Sequence, residues 1–220
     1  MTDKPVIGPE NVEILKETPF LSLYDLQYAE GRHYFDASRK RKEDLAAIKS
    51  DEAVREKTAD AVNLVVIVKT PGAEPKLLLS YEYRYPTGQI LLSPPAGMLD
   101  PEDGEGEAAL FAAAKRELKE ETGIGFRDTD RIFVINPLVW SSPGMTDECN
   151  ALVGISLERE DLSELNQTGA VGTELFYGFE LLGKEEARTV LRAGRDRNGM
   201  YYSVFTWCAL MSFVSGLTEL

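Results

Sequence analysis

The stretch Lys115–Gly123, KRELKEETG, sets three carboxylates, Glu117, Glu120 and Glu121, within five residues ahead of a glycine. On a helical wheel at about 100° per residue with Leu110 at zero, Ala114, Leu118 and Phe111 fall at about 40°, 80° and 100° and mark the apolar stripe. Glu117 and Glu121 then fall at about −20° and +20°, inside the face that a helix buries. Lys115, Lys119 and Ala112 lie opposite, where a merely solvated charge run would also have placed its glutamates. Two ionised carboxylates one turn apart at a buried edge repel each other and lose hydration, so they require a cation or a proton. Oxygen donors with little else nearby suit Mg²⁺ or Mn²⁺. The competing reading is a structural ion-pair network.

Upstream, LLSPPAGMLDPEDGEGEAALFAAAKRELKEETGI runs from a strand through a Pro-Pro-Ala-Gly turn and an acidic, glycine-containing loop into this helix. Gly97 allows the backbone to approach a ligand and frees carbonyls there as further metal ligands. The segment resembles the Nudix hydrolase box, G-x5-E-x7-R-E-U-x-E-E-x-G-U with U apolar. Arg116, Glu117, Leu118, Glu120, Glu121, Gly123 and Ile124 match its second half, and Gly97 matches its opening glycine. The spacing departs from the box: 18 residues separate Gly97 from Arg116 where the family has 13. Counted back from Arg116, the earlier box glutamate falls on Ala108. Glu105 is the expected stand-in, with Glu107 and Glu102 as alternatives.

The resemblance implies Glu117, Glu120 and Glu121 as metal ligands together with the Ala96 carbonyl, and Arg116 as the residue that orients the glutamates. It implies a Nudix-type α/β/α sandwich around a mixed sheet, and hydrolysis of a nucleoside diphosphate linked to another moiety, with Mg²⁺ or Mn²⁺ offsetting the polyanion while water attacks phosphorus in line. The flanks narrow this. YEYRYPTGQILLSPPAGML is similar to the E-x-R, proline, turn and PAG pattern of the ADP-ribose and ADP-sugar diphosphatases, with Glu82 and Arg84 at the matching positions. SSPGMTDECNALVGI is similar to that subgroup's S-P-G-x-T/S-x-E loop through Ser142, Pro143, Gly144, Thr146 and Glu148. Glu82, Arg84, Ser142, Gly144 and Glu148 are therefore candidate substrate-binding residues. An exposed strand salt bridge is the plainer reading of the first two, and a simple turn that of the loop. A general base in this subgroup comes from the loop before the last strand, here DLSELNQTGAVGTELFYGFELL. Glu174 is the acid nearest that strand, although strict alignment puts Val171 and Thr173 at the acidic positions; Glu164 and the helix glutamates are the alternatives. The candidate catalytic set is thus Glu120, Glu174 and Arg116.

Composition restricts the other classes. Lys and Arg number 24 against 37 Asp and Glu, a net charge of −13, which opposes a phosphate backbone and excludes nucleic acid as a partner. A single histidine, His33, rules out a multi-histidine metal site, and two cysteines, Cys149 and Cys208, leave no disulfide framework. No apolar run is long enough to span a bilayer, and MTDKPVIGPEN lacks the apolar core of a signal peptide, so a cytoplasmic protein is expected.

Residues 1–58 read as a β-rich extension, with a hairpin about Glu30-Gly31 followed by a charged connector, and 59–220 as the hydrolase domain. AVNLVVIVK, KLLLSYEYRY, QILLS, RIFVINPLVWSS, CNALVGISL and ELFYGFELL are its strands. KEEARTVLRAG and YYSVFTWCALMSFVSG are closing helices, the aromatics of the second read as core packing. In the resembling subgroup the extension helps to build a homodimer acting on a nucleotide sugar, and this is the partner reading. The alternative from another class is a degenerate module that binds a nucleotide sugar without cleaving it, suggested by the lengthened box and the displaced base.

Overall fold

The computed structural model describes residues 4–169 and 172–218. The chain forms two compact units, one built from the segment up to Thr58 with Val139–Asn150, the other from Ala59–Leu138 with the segment after Asn150.

In the first unit, β1 (Val12–Glu17), β2 (Ser22–Ala29) and β3 (Arg32–Ser38) form an antiparallel sheet. The β2–β3 turn uses Gly31 at φ 64°, a conformation open to glycine without a Cβ penalty. Val12 stands opposite Leu26 in the register, and with Tyr24 these residues share a face that buries against Leu45. The charged connector supplies a fully buried Leu45 and closes the small core. It ends in α1 (Asp51–Arg55), capped by Ser50, whose Oγ accepts from Ala53 N at 3.2 Å. Segment 139–150 joins the same unit: Ala37 N donates to Met145 O at 2.9 Å, and Asp147 accepts from Ser38 Oγ at 2.6 Å and from Ala46 N at 2.9 Å.

The second unit is built on a seven-stranded sheet. Along its main path β10 (Phe176–Leu182), β5 (Lys76–Arg84), β4 (Ala61–Lys69), β9 (Cys149–Glu158) and β8 (Arg131–Trp140) lie side by side; β6 (Gln89–Ser93) pairs with β5 and β7 (Ala96–Met98) with β4. β4 is buried from Ala61 to Val68 and apolar there except at Asn63, as a strand covered on both faces should largely be. Its Val62, Leu64, Val66 and Val68 pack with Leu110, Ala113, Ala114 and Leu118 of α2 (Gly106–Thr122). The intervening Val65 and Ile67 pack with Ala187 of α3 (Lys184–Ala193) and with Ala209, Leu210 and Phe213 of α4 (Val204–Ser215). The period-two alternation of one strand thus produces helix, sheet and helix layers. In α4 the packing reading holds for Leu210 and Phe213, whereas Tyr201, ahead of the helix, and Trp207 stay exposed.

Two features departed from expectation. β7 is a strand where a turn was predicted, because Ala96, Gly97 and Met98 pair with Asn63, Val62 and Ala61 of β4. A buried ion pair also joins the start of β8 to the end of β9: Arg159 Nη1 and Nη2 donate to the two Asp130 carboxylate oxygens at 2.7 and 2.9 Å, and Glu158 N and Arg127 N add further hydrogen bonds.

Candidate active site

α2 begins after Glu105 and stops at Gly123, which takes the left-handed conformation at φ 74° with its N–H on Lys119 O. Within it Glu117 and Glu121 are only 6% and 4% exposed, so the wheel's placement of these carboxylates on the core face is what the helix adopts. Glu120 is partly exposed beside them.

β7 supplies the facing wall. A Cβ on Gly97 would overlap the Glu117 carboxylate, so glycine is required there for space, not for its backbone angles. Ala96 N donates to Glu121 Oε1 at 3.3 Å. Arg116 braces the assembly: Nη1 donates to Glu117 Oε1 at 2.6 Å and to Glu120 Oε2 at 3.4 Å, while Nη2 donates to Met98 O at 2.9 Å and to Asp103 Oδ2 at 3.1 Å. One guanidinium therefore ties the helix, β7 and the loop between them through charge-assisted hydrogen bonds.

Asp103 explains the lengthened box. It lies six positions after Gly97, where the glutamate of G-x5-E stands, and its carboxylate meets Arg116. The five extra residues thus fall between Asp103 and Arg116, in Gly104, Glu105 and the first turns of the helix. Glu105, the expected stand-in, is the residue ahead of the first helical turn and is exposed, as are Glu102 and Glu107. Although burial opposes it, the hydrogen bonds from Arg116 and from Asp100 N hold the Asp103 carboxyl below its ordinary value.

Two more acids reach the cluster. Glu82, on β5, is 8% exposed and accepts from Arg84 Nη2 at 2.8 Å. Glu174 arrives on the loop after β9, which crosses the end of α2: Asn166 N donates to Thr122 O at 2.9 Å, and Gly169 lies so close to Glu120 that a side chain there would strike its backbone. Burial, with Glu120 and Glu174 adding like charge against the pull of Arg116, pushes Glu117 up to about 7. Burial and the charges of Glu82, Glu117 and Glu174 raise Glu121 well above the usual carboxylate range, opposed by Ala96 N–H. Burial and Glu174 likewise raise Glu82 against Arg84. The three shifts share burial as their leading cause, and neighbouring carboxylates add like charge against the pull of Arg84 on Glu82 and of Arg116 on Glu117.

The second unit thus brings together Glu82, Arg84, Ala96, Arg116, Glu117, Glu120, Glu121 and Glu174. Glu164 instead pairs with Arg127 at the surface. Thr173 is exposed, and Val171 lies outside the described residues. Ser142, Gly144 and Glu148 belong to the first unit. There Ser142 O accepts from Met145 N and Thr146 N in a turn, Gly144 O accepts from Tyr34 OH at 3.0 Å, and Glu148 pairs with Arg39 Nε at 3.1 Å.

The NUDIX domain pattern matches residues 57–169, the segment that carries β4 to β9, Gly97 and α2. The chain belongs to the Nudix family. Among its relatives, the ADP-sugar pyrophosphatase of Mus musculus is 29% identical over 137 residues, 62% of this chain and 59% of that protein. The ADP-ribose pyrophosphatase of Saccharomyces cerevisiae is 31% identical over 100 residues, 45% and 39% of the two chains. The chain thus spans less than two thirds of the length of either relative. A solved structure titled as an ADP compounds hydrolase superposes with a TM-score of 0.57 at 18% identity, covering 99% of this chain and 98% of that one, which shows the shared Nudix fold. Within that fold the box glycine, arginine and glutamates occupy the wall described above. Among the described residues no three His, Cys, Asp or Glu side chains by themselves enclose an ion, Glu117 being engaged by Arg116 and Glu121 by Ala96 N–H. No described helix is long and apolar enough to cross a membrane.

Proposed function

We propose that the protein hydrolyses the diphosphate bond of ADP-ribose or a related nucleotide sugar in the presence of Mg²⁺, giving AMP and a sugar phosphate. The observation that carries this reading is the cluster of buried carboxylates Glu82, Glu117 and Glu121, to which the partly exposed Glu174 adds like charge. Such a cluster is costly unless a polyvalent cation joins it. The donors are hard oxygens, which fit Mg²⁺ or Mn²⁺, and Glu117, Glu120, Glu121 and the Ala96 carbonyl would hold the ion. Bound there, a divalent cation supplies neutralisation of the diphosphate and Lewis acidity toward its phosphorus.

The remaining work belongs to the chain. Arg116 fixes Glu117 and keeps β7 against α2 without touching substrate. Arg84, 45% exposed at its side chain, offers a guanidinium to a phosphate once Glu82 shares it. Glu174 or Glu120 accepts a proton from the attacking water on a carboxylate oxygen. Ser142, Gly144 and Glu148 are the remaining candidate substrate contacts of this reading, resting on the resemblance of their loop. The names of the mouse and yeast relatives support a nucleotide-sugar substrate. A homodimer in the cytoplasm is part of the same reading; the exposed Ile14, Leu15, Phe20 and Leu21 on the first unit support the self-association. The contact of Asp103 with Arg116 favours turnover over a binding-only module, because the insertion leaves that brace in place.

The test is product analysis with ADP-ribose, other nucleotide sugars, dinucleotides and nucleoside triphosphates in Mg²⁺. AMP and a sugar phosphate from the wild type, absent with Glu121→Gln of unchanged fold, is expected; full activity in that variant would sink the proposal.

A further inference from the structure

Tyr81, Tyr83, Ile90, Tyr177, Arg197 and Met200 line an open cavity of about 640 Å³ within the second unit. The volume lies in the range of about 300–1,000 Å³ that small-molecule sites occupy. This is not the glutamate site. Tyr81 packs with the residues beneath α3 and α4, whereas its neighbour Glu82 belongs to the opposite face of β5, where its charge acts on Glu121 of α2.

The loop ahead of α4 is built around a buried acid. Asp196 Oδ1 accepts from Asn198 N and from Met200 N at 2.9 Å each, and Asp196 N donates to Met200 O at 2.9 Å. Gly199, at φ 79°, completes the turn, which fixes where Arg197 leaves the backbone. Arg197 Nε then pairs with Glu180 Oε2 at 2.8 Å, and Tyr81 OH donates to the same oxygen at 2.9 Å. Glu180 is buried, whereas the Arg197 side chain is 65% exposed. The guanidinium is therefore anchored by its inner edge, 5.9 Å from the centre of the Tyr81 ring, and its terminal amino groups are donors at the cavity. The pair with Glu180 balances its charge and the chain carries −13, so an uncharged acceptor suits the cavity better than an anion.

The aromatic walls narrow the ligand further. Tyr177 is exposed, and Tyr83 is steadied edge-on by Tyr85 at a centroid distance of 5.0 Å. Tyrosine rings beside a planar guanidinium recognise flat heterocycles by stacking. An arginine fork matches two adjacent acceptors, such as O6 and N7 of a 6-oxopurine, and meets an opposing N–H donor where adenine carries its amino group.

We propose that this cavity binds the base of a 6-oxopurine nucleoside, with Arg197 Nη1 and Nη2 donating to O6 and N7 and the Tyr177 ring stacking on the base. The site is separate from the diphosphate chemistry and does not depend on the hydrolase reading.

Inosine is the probe and adenosine its control, because they differ at position 6 and neither contains a diphosphate. Both are titrated into the full chain while backbone amide and arginine Nε resonances are followed by NMR. Saturable shifts are expected at Gly88, Asn198 and Arg197 Nε, with inosine tighter by about fivefold or more, the lower bound for one bidentate base contact. Arg197→Lys is expected to abolish the preference, and Tyr177→Ala to weaken both nucleosides alike by about fivefold or more. Melting curves verify the fold of each variant. Should Arg197→Lys melt early, the inosine-to-adenosine ratio of the wild type and the Tyr177→Ala result still decide. Equal affinity for the two nucleosides, an unchanged preference in Arg197→Lys, unchanged binding in Tyr177→Ala, shifts centred on Glu117 and Glu121, or no saturable shift in the millimolar range would overturn the proposal.

Discussion

Gly97 and Arg116 show how single residues set the site. The Glu117 carboxylate occupies the space that any side chain at position 97 would need. Gly97→Ala is therefore expected to displace Glu117 and to cost at least tenfold in turnover, with a stability loss of about 1–3 kcal/mol from overpacking. Steady-state kinetics alongside thermal melting separates the two effects. Arg116→Lys keeps the charge but cannot serve Glu117, Glu120, Met98 O and Asp103 together. Loss of turnover with substrate binding retained is expected, and binding calorimetry against kinetics checks it. Glu117 gives a pH dependence of defined sign. Its carboxyl is raised from 4.5 to about 7 in the folded protein, so the folded state binds the extra proton. The associated stability is complete below the unfolded value of about 4.5 and is lost as pH rises through about 7. Metal-free protein is expected to melt lower at about pH 8 than at about pH 5, with a smaller difference in Glu117→Gln; a calorimetric pH series reads it.

At the scale of elements, the alternation along β4 and the periodicity of α2 were legible because each follows from one strand or helix burying a face. The burial of Glu117 and Glu121 was legible for the same reason. β7 was not, since three residues after Pro-Pro carry the signals of a turn and become a strand only through pairing with β4. Asp103 was hidden by counting back from Arg116; counting forward from Gly97 reaches it, with aspartate in place of glutamate. The Asp130–Arg159 pair had no local signal because 29 residues separate its members. Its side chains are 0% and 3% exposed, so Arg159→Ala would leave a buried carboxylate unpaired. A loss of about 3–5 kcal/mol is expected from denaturant melts, and Asp130→Ala should behave similarly.

For the molecule as a whole, a net charge of −13 makes approach of a polyanionic substrate unfavourable without positive charge at the site. The grouping of 139–150 with the N-terminal sheet could not be read from sequence, because Asp147, Ser38 and Ala46 meet only in the folded first unit. The acidic surface and the glutamate cluster together make a divalent cation the component without which the proposed reaction should not proceed. The most direct measurement follows ADP-ribose by ³¹P NMR with the wild type and with Glu121→Gln, each with and without Mg²⁺. Conversion to AMP and a sugar phosphate by the wild type in Mg²⁺ alone is expected, whereas conversion by Glu121→Gln at the wild-type rate, or by the wild type after full chelation, would contradict the assignment of the buried cluster as the seat of hydrolysis.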